Sequence, residues 1–149
     1  INLSAIYRPL NNIFLNKIME RIRKKYICKN QIKKGIGGMK KLINLMNSNF
    51  STALMIDQRV TEGIKSDFFN KEASTTTVPA QLIKKFHMPV VPILMERFDG
   101  IKFKMKVQKP RHLPDNNSID EITVRLNKTL ERMILDSLNY WIWSHNRWK

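Results

Sequence analysis

The sequence predicts an α/β protein with a mixed sheet flanked by helices, and three observations carry that expectation. Segments with a helical apolar period alternate along the chain with short apolar or strictly alternating segments, the order in which helices and strands share one core. Asp99-Gly100 stands between two strand-like runs, which demands at least one antiparallel pair. The run from Thr52 to Ile56 is followed by an acid, Asp57, and a polar loop. Open α/β proteins build their sites just outside the carboxyl ends of such strands. Asp57 is therefore either a site carboxylate or the cap of a turn.

A length of 149 residues fits one domain spanning 1–149, with a real core and little room for a second. The hydrophobic share of 42% is that of a globular chain, but 27 basic against 12 acidic residues leave a net charge of +15. Residues 1–50 hold 11 Lys and Arg against one acid, Glu20. Such an excess selects anionic partners: nucleic acid, acidic lipid, a phosphorylated substrate or an acidic protein. Abundant lysine, isoleucine and asparagine also allow a purely compositional source. The lone Cys28 excludes an internal disulfide and a cysteine-based zinc cluster, and with three scattered histidines no metal site is expected. No apolar run approaches the roughly 20 residues of a spanning helix, and the opening residues lack a basic-then-apolar signal pattern. The chain starts on Ile1, so it is expected to be a piece of a longer protein.

Leu10, Ile13, Phe14, Ile18 and Ile22 recur every three or four residues, predicting an amphipathic helix over 10–23. A short strand at Tyr26–Cys28 and a glycine-rich loop at Gly35, Gly37 and Gly38 follow. The glycines lack the Gly-Lys-Ser/Thr ending of a phosphate loop, which favours a plain loop. A second helix is expected over 39–47 and a strand over 52–56. Thr77 as N-cap with Pro79 in the first turn opens a helix that runs to Phe86. The next strand lies in 88–98, its ladder limited by Pro89 and Pro92. Residues 101–107 alternate, with Ile101, Phe103, Met105 and Val107 expected in the core and Lys102, Lys104 and Lys106 on a solvated face. Ser118 and Glu121 form a capping box opening a long helix whose buried stripe is Ile119, Ile122, Leu126, Leu130, Met133 and Ile134. The tail "YWIWSHNRWK" either packs the end of that helix or offers tryptophans to stack on bases or sit at a membrane interface; packing is favoured.

Four segments, in order and covering nearly the whole chain, resemble the late acyltransferases of bacterial lipid A biosynthesis, the lauroyl/myristoyl transferase family. They are "YRPLNN", "IDQRVTEG", "DFFNKEASTTTVPAQLIKKFHMPVVPILMERFDG" and "WIWSHNRWK". The resemblance implies a glycerolipid-acyltransferase-like fold lacking its N-terminal part, no cofactor, and transfer of an acyl chain from acyl carrier protein to a hydroxyl of an anionic lipid A precursor. It implies a place at the cytoplasmic face of the inner membrane, peripheral for this portion. By resemblance Arg8 holds a substrate phosphate or the developing oxyanion. Asp57 positions Arg8 or the sugar acceptor, Phe68 and Phe69 line the acceptor or acyl entry, and Arg97, in a mostly structural role, pairs with an acid near the strand end.

Two departures stand out: Asn70 occupies the usual glycine position after the phenylalanines, and "LNY" replaces a common Pro-Glu-Gln. A larger one is the family's His-x4-Asp/Glu motif, whose histidine deprotonates the acceptor hydroxyl. Pro92 stands five residues after His87 and Asn117 five after His112, and none does so after His145. No catalytic residue is therefore assigned within these residues. The base is expected from an upstream part, either removed or separately encoded, and the isolated chain is expected to be inactive. Two other readings compete: a basic module that binds nucleic acid or membrane surface without catalysis, and a remnant with no function.

Overall fold

β1 (Leu3–Tyr7) is the middle strand of a three-stranded parallel sheet in the computed structural model, which describes residues 1–144 and 146–148. It pairs on one side with β2 (Asn30–Lys33) and on the other with β3 (Ser51–Ala53). Two helices make the parallel connections, α1 (Ile13–Tyr26) and α2 (Ile36–Asn47). Together these elements form the first of two units, Ile1–Met55. The Asn12 side chain starts α1 by accepting from the amides of Phe14 and Leu15, and Arg23, Lys24 and Lys25 crowd its negative end. The core of this unit is small: Ile32, Leu42 and Met46 are buried, with Ser4 hydrogen-bonded to Thr52 across the sheet.

The glycine segment is not a loop. Gly35, at φ +134°, precedes α2, while Gly37 and Gly38 lie inside it. Gly38 is there for contact: a Cβ on it would sit 1.8 Å from the Lys33 carbonyl oxygen, so only glycine lets the helix lie this close to β2. The strand expected at Tyr26–Cys28 is also displaced. α1 runs on to Tyr26 because its basic last turn is favourable there, and the strand begins at Asn30.

The second unit runs from Ile56 to Lys149. Its first hairpin, β4 (Ile64–Phe68) with β5 (Lys71–Thr75), lies where a loop is expected. Phe69 and Asn70, at φ +53° and +58°, make its two-residue turn. Both central residues are left-handed, the geometry that matches strand twist, and asparagine tolerates it nearly as well as glycine. Asn70 thus serves the turn where the resemblance leads one to expect glycine. Next comes α3 (Val78–Phe86), with Thr77 at the N-cap position and Pro79 in its first turn, as expected, although the Thr77 hydroxyl accepts from the Gln81 side chain instead of capping a backbone amide. β6 (Ile93–Phe98) and β7 (Lys102–Val107) then form the hairpin predicted by Asp99-Gly100, both residues at positive φ. α4 (Ile119–Leu135) opens on the Ser118–Glu121 capping box.

The core of this unit lies between α4 and its neighbours. Leu130 and Ile134 pack with Phe68 and Ala73, and Ile122 and Leu126 pack with Ala80 of α3. Instead of one mixed sheet, the described residues form three small ones: a parallel sheet and two antiparallel hairpins. β7 also departs from its expected orientation. Its apolar side chains are in solvent, Phe103 at 62% exposure, while Glu96 on the opposite side of β6 bonds Ser137 and Lys106. Polar contacts choose which face of this hairpin turns inward.

Candidate functional site

The polar centre of the second unit is a side chain that the sequence presents as part of a basic tail. Arg147 is fully buried. One end of its guanidinium donates to the Gln58 carbonyl oxygen, and the other to Thr75 Oγ1 at 3.3 Å and Asn127 Oδ1 at 3.2 Å. Its flat face lies 5.0 Å from the centroid of the Phe68 ring, a cation–π contact in a dry setting. Asn127 completes the network, its Nδ2 donating to Ser66 Oγ, Thr75 Oγ1 and the Asp67 carbonyl, each at 3.1 Å. The cluster therefore ties α4, both strands of the first hairpin and the 57–58 loop to one planar cation.

Asp57 belongs to this centre. Burial lowers the Arg147 pKa, and the negative charge of Asp57 opposes that shift. Two polar atoms here are buried without a hydrogen-bond partner, Asp57 Oδ1 and Arg147 Nε. Buried polar atoms left open cost stability in the empty protein.

The two phenylalanines occupy the end of the first hairpin. Phe68 is fully buried and meets Phe69 edge-on at 4.9 Å between centroids. Trp148 packs on Phe68 at 5.7 Å and donates from Nε1 to its carbonyl oxygen at 3.0 Å. The Phe69 amide donates to Glu131 Oε1 at 2.8 Å, and Lys128 bridges Asp67 and Glu131. The carboxylate of Asp67, followed by that of Glu131, raises the Lys128 pKa. This pins the turn carrying Phe69 to α4 and leaves Phe69 half-buried. Trp141 and Trp148 thus pack, as the favoured reading of the tail has it, whereas Trp143 is 53% exposed. His145 and Lys149 of the same motif lie outside the described residues. Arg97 differs from expectation: it donates to the Gly100 carbonyl and lies over Phe103, bracing its own turn instead of pairing with an acid.

Arg8, the fourth expected site residue, belongs to the first unit, exposed just beyond β1. Its neighbour Tyr7 donates to Glu20 Oε1 at 2.6 Å, and Glu20 also accepts from Asn16 at 2.8 Å and meets Lys33 at 3.4 Å. Burial and the bond to Glu20 push the Tyr7 phenol up to about 12. The bond from Tyr7, followed by that from Asn16, holds Glu20 down at about 2. These groups line a depression of about 420 Å³ with Lys24, Gln31, Lys33 and Lys41. Tyr7 is thereby a locked structural donor, unsuited to proton transfer near neutrality.

One histidine does meet an acid. His87 Nδ1 lies 2.8 Å from Asp115 Oδ1, but their side chains are 65% and 77% exposed. A pair so open to water lacks the desolvation that tunes a general base.

Sequence signals for Asp57, Phe68 and Phe69 are their place after a strand and inside a motif. Arg147 lies inside the Trp-rich tail motif, where nothing distinguishes it from its neighbours, and Asn127 lies in no motif. Asn127 sits on the buried stripe of α4 between Leu126 and Leu130, and a polar residue at a core position is the clue that it has partners. The family model of the bacterial lipid A biosynthesis acyltransferases matches residues 2–149. No curated protein matches the chain. With a match of that length, and with the Asp57 loop, the paired phenylalanines and the Trp-rich tail meeting around one buried arginine, the chain belongs to the bacterial lipid A biosynthesis acyltransferase family.

Proposed function

We propose that residues 1–149 act as the C-terminal part, and one functional domain, of a glycerolipid-acyltransferase-like enzyme. It transfers an acyl chain from acyl carrier protein to a hydroxyl of an anionic lipid A precursor at the cytoplasmic face of the inner membrane. The family match over residues 2–149 carries this reading. The reaction is attack of the acceptor hydroxyl oxygen on the thioester carbonyl. The hydroxyl proton passes to a base, a tetrahedral oxyanion forms, and the thiol of the carrier's prosthetic arm leaves with a proton.

The 149 residues contain no His-x4-Asp/Glu, so the base comes from an N-terminal part, whether continuous with this chain or separately encoded. Arg8 binds a substrate phosphate or the developing oxyanion, tasks suited to its fixed paired donors. Asp57 positions the sugar acceptor. Arg147, which bonds the Gln58 carbonyl oxygen, holds the loop that carries Asp57 in place. Phe69, with Phe68 beneath it, lines the acceptor or acyl entry.

The test is acyl transfer from acyl carrier protein thioester to the lipid precursor. The 149-residue chain alone is expected to give no turnover, and addition of an N-terminal part bearing His-x4-Asp/Glu to restore it. In the restored enzyme Asp57→Ala should lower kcat/KM about 100-fold, the scale of a lost positioning contact. Robust turnover by the chain alone would overturn the assignment of the base.

A further inference from the structure

We infer that α1 is a membrane-docking helix that lies flat in the interface of an anionic bilayer. The inference rests on the family's lipid-facing setting proposed above only for the kind of surface, and its test reads binding instead of turnover.

α1 is attached to its own unit by the wrong side for a core helix. Asn16, Glu20 and Arg23 turn inward, where Glu20 bonds Tyr7 and Lys33 and Arg23 lies 4.9 Å from the Tyr7 ring centroid. Apart from the half-buried Met19, its apolar residues point away. No residue of α1 is buried, and Phe14, Ile18 and Ile22, one turn apart, are 79%, 52% and 43% exposed. At 100° per residue these three span an arc opposite the Asn16–Glu20–Arg23 side, and Leu15 and Tyr26 widen it. Fourteen residues make a ridge about 21 Å long.

The border of that ridge identifies its occupant. Lys17, Arg21 and Lys25, four residues apart, form an exposed row along one side of the arc, while the helix's only acid, Glu20, is turned inward. An apolar arc with a cationic border is the pattern of helices that rest 5–10 Å deep among anionic headgroups. A second copy of the chain is a poor occupant, because pairing two such arcs brings like-charged borders together. The exposed apolar face of β6 and β7 is different. Its lysines lie on the opposite side of the hairpin, and the one cation on its own side, Arg97, lies over Phe103, so no row of cations runs along it. Among the described residues no helix is long and apolar enough to cross a membrane, and a helix lying in the interface needs neither property.

The experiment is cosedimentation of the full chain with vesicles of phosphatidylglycerol and phosphatidylethanolamine, and with phosphatidylcholine alone. Wild type should bind the anionic vesicles at least tenfold more tightly than the zwitterionic ones, and salt should weaken that preference. The triple variant Phe14→Ser, Ile18→Ser, Ile22→Ser alters only exposed side chains and should keep the wild-type circular dichroism. It should bind anionic vesicles at least tenfold less tightly, whereas Phe103→Ser with Met105→Ser should bind as wild type does. Absence of binding by wild type, undiminished binding by the triple variant, or loss of binding in the hairpin variant alone would overturn the inference. So would a wild-type dimer in solution that the triple variant dissolves, since a second copy would then cover the arc.

Discussion

α1 and α4 are both amphipathic, both well capped at their N-termini, and opposite in what they do with their apolar faces. α4 buries Ile122, Leu126, Leu130 and Ile134 under the first hairpin and α3, and even its buried Asn127 is satisfied. α1 buries nothing and is held by a phenol, a carboxylate and two cations. Periodicity reveals that a helix has an apolar face but is silent on what covers it. In α4 that face meets a hairpin whose own inward residues, Phe68 and Ala73, are apolar. In α1 the polar side has the stronger local claim, because Tyr7 and Lys33 at the ends of adjacent strands offer it partners.

Paired truncations should separate the two helices most clearly. Leu130→Ala is expected to cost about 2–5 kcal/mol in urea unfolding, as loss of a buried aliphatic side chain does, while Ile18→Ala should stay within about 0.5 kcal/mol. Equal costs would mean that α1 is covered in solution. Next in size is Arg147→Met, expected to cost about 3 kcal/mol, because Asn127 Oδ1 and the Gln58 carbonyl lose a charged donor. Restoration of stability by Arg147→Lys would argue against the need for a planar, multidentate cation. Gly38→Ala should cost about 1–3 kcal/mol, since its Cβ would overlap the Lys33 carbonyl and push α2 off β2. Gly37→Ala, with nothing near its Cβ, should be neutral or slightly stabilising.

The smallest effect is a pH window specific to α1. Glu20 has a depressed pKa, so its contribution is present above its ordinary value of 4.5 and is lost as pH falls toward about 2. Tyr7 has a raised one, so its contribution is complete below 10 and is lost as pH rises toward about 12. α1 should therefore hold its place between roughly pH 4.5 and 10, and Glu20→Gln should lower the Tyr7 ionisation midpoint in an ultraviolet titration. An unmoved midpoint would remove the carboxylate from the account.

Features governed by local chemistry were legible in the sequence. Ser118 with Glu121, Thr77 with Pro79, and Asp99 with Gly100 each act within a few residues, and each marks the element it predicts. Phe69-Asn70 hid a turn because phenylalanine rarely takes a left-handed φ, and its reason for doing so, Glu131 accepting its amide, lies 62 positions away. The glycines of α2 misled for the same kind of reason: Gly38 answers to a strand carbonyl and not to loop flexibility. The alternation in β7 identified a strand correctly but not its inward face, which Glu96 and Ser137 decide from elsewhere. At the candidate site Asp57 stood out by position. Arg147 did not, because a buried arginine and a solvated one are spelled alike.

The reach of Arg147 has a consequence in time. Its bond to the Gln58 carbonyl spans 89 positions, whereas the sheet of the first unit closes over 48, from Ser4 to Thr52. At about 5–20 residues per second of synthesis, roughly 4 to 18 seconds pass between the emergence of Gln58 and that of Arg147. During that interval the first unit can be finished, while the loop bearing Asp57 has no clamp and Phe68 has no Trp148 beside it. A nascent chain of this protein therefore carries a completed half and an unsealed half together, and the unsealed half is where chaperones should be found.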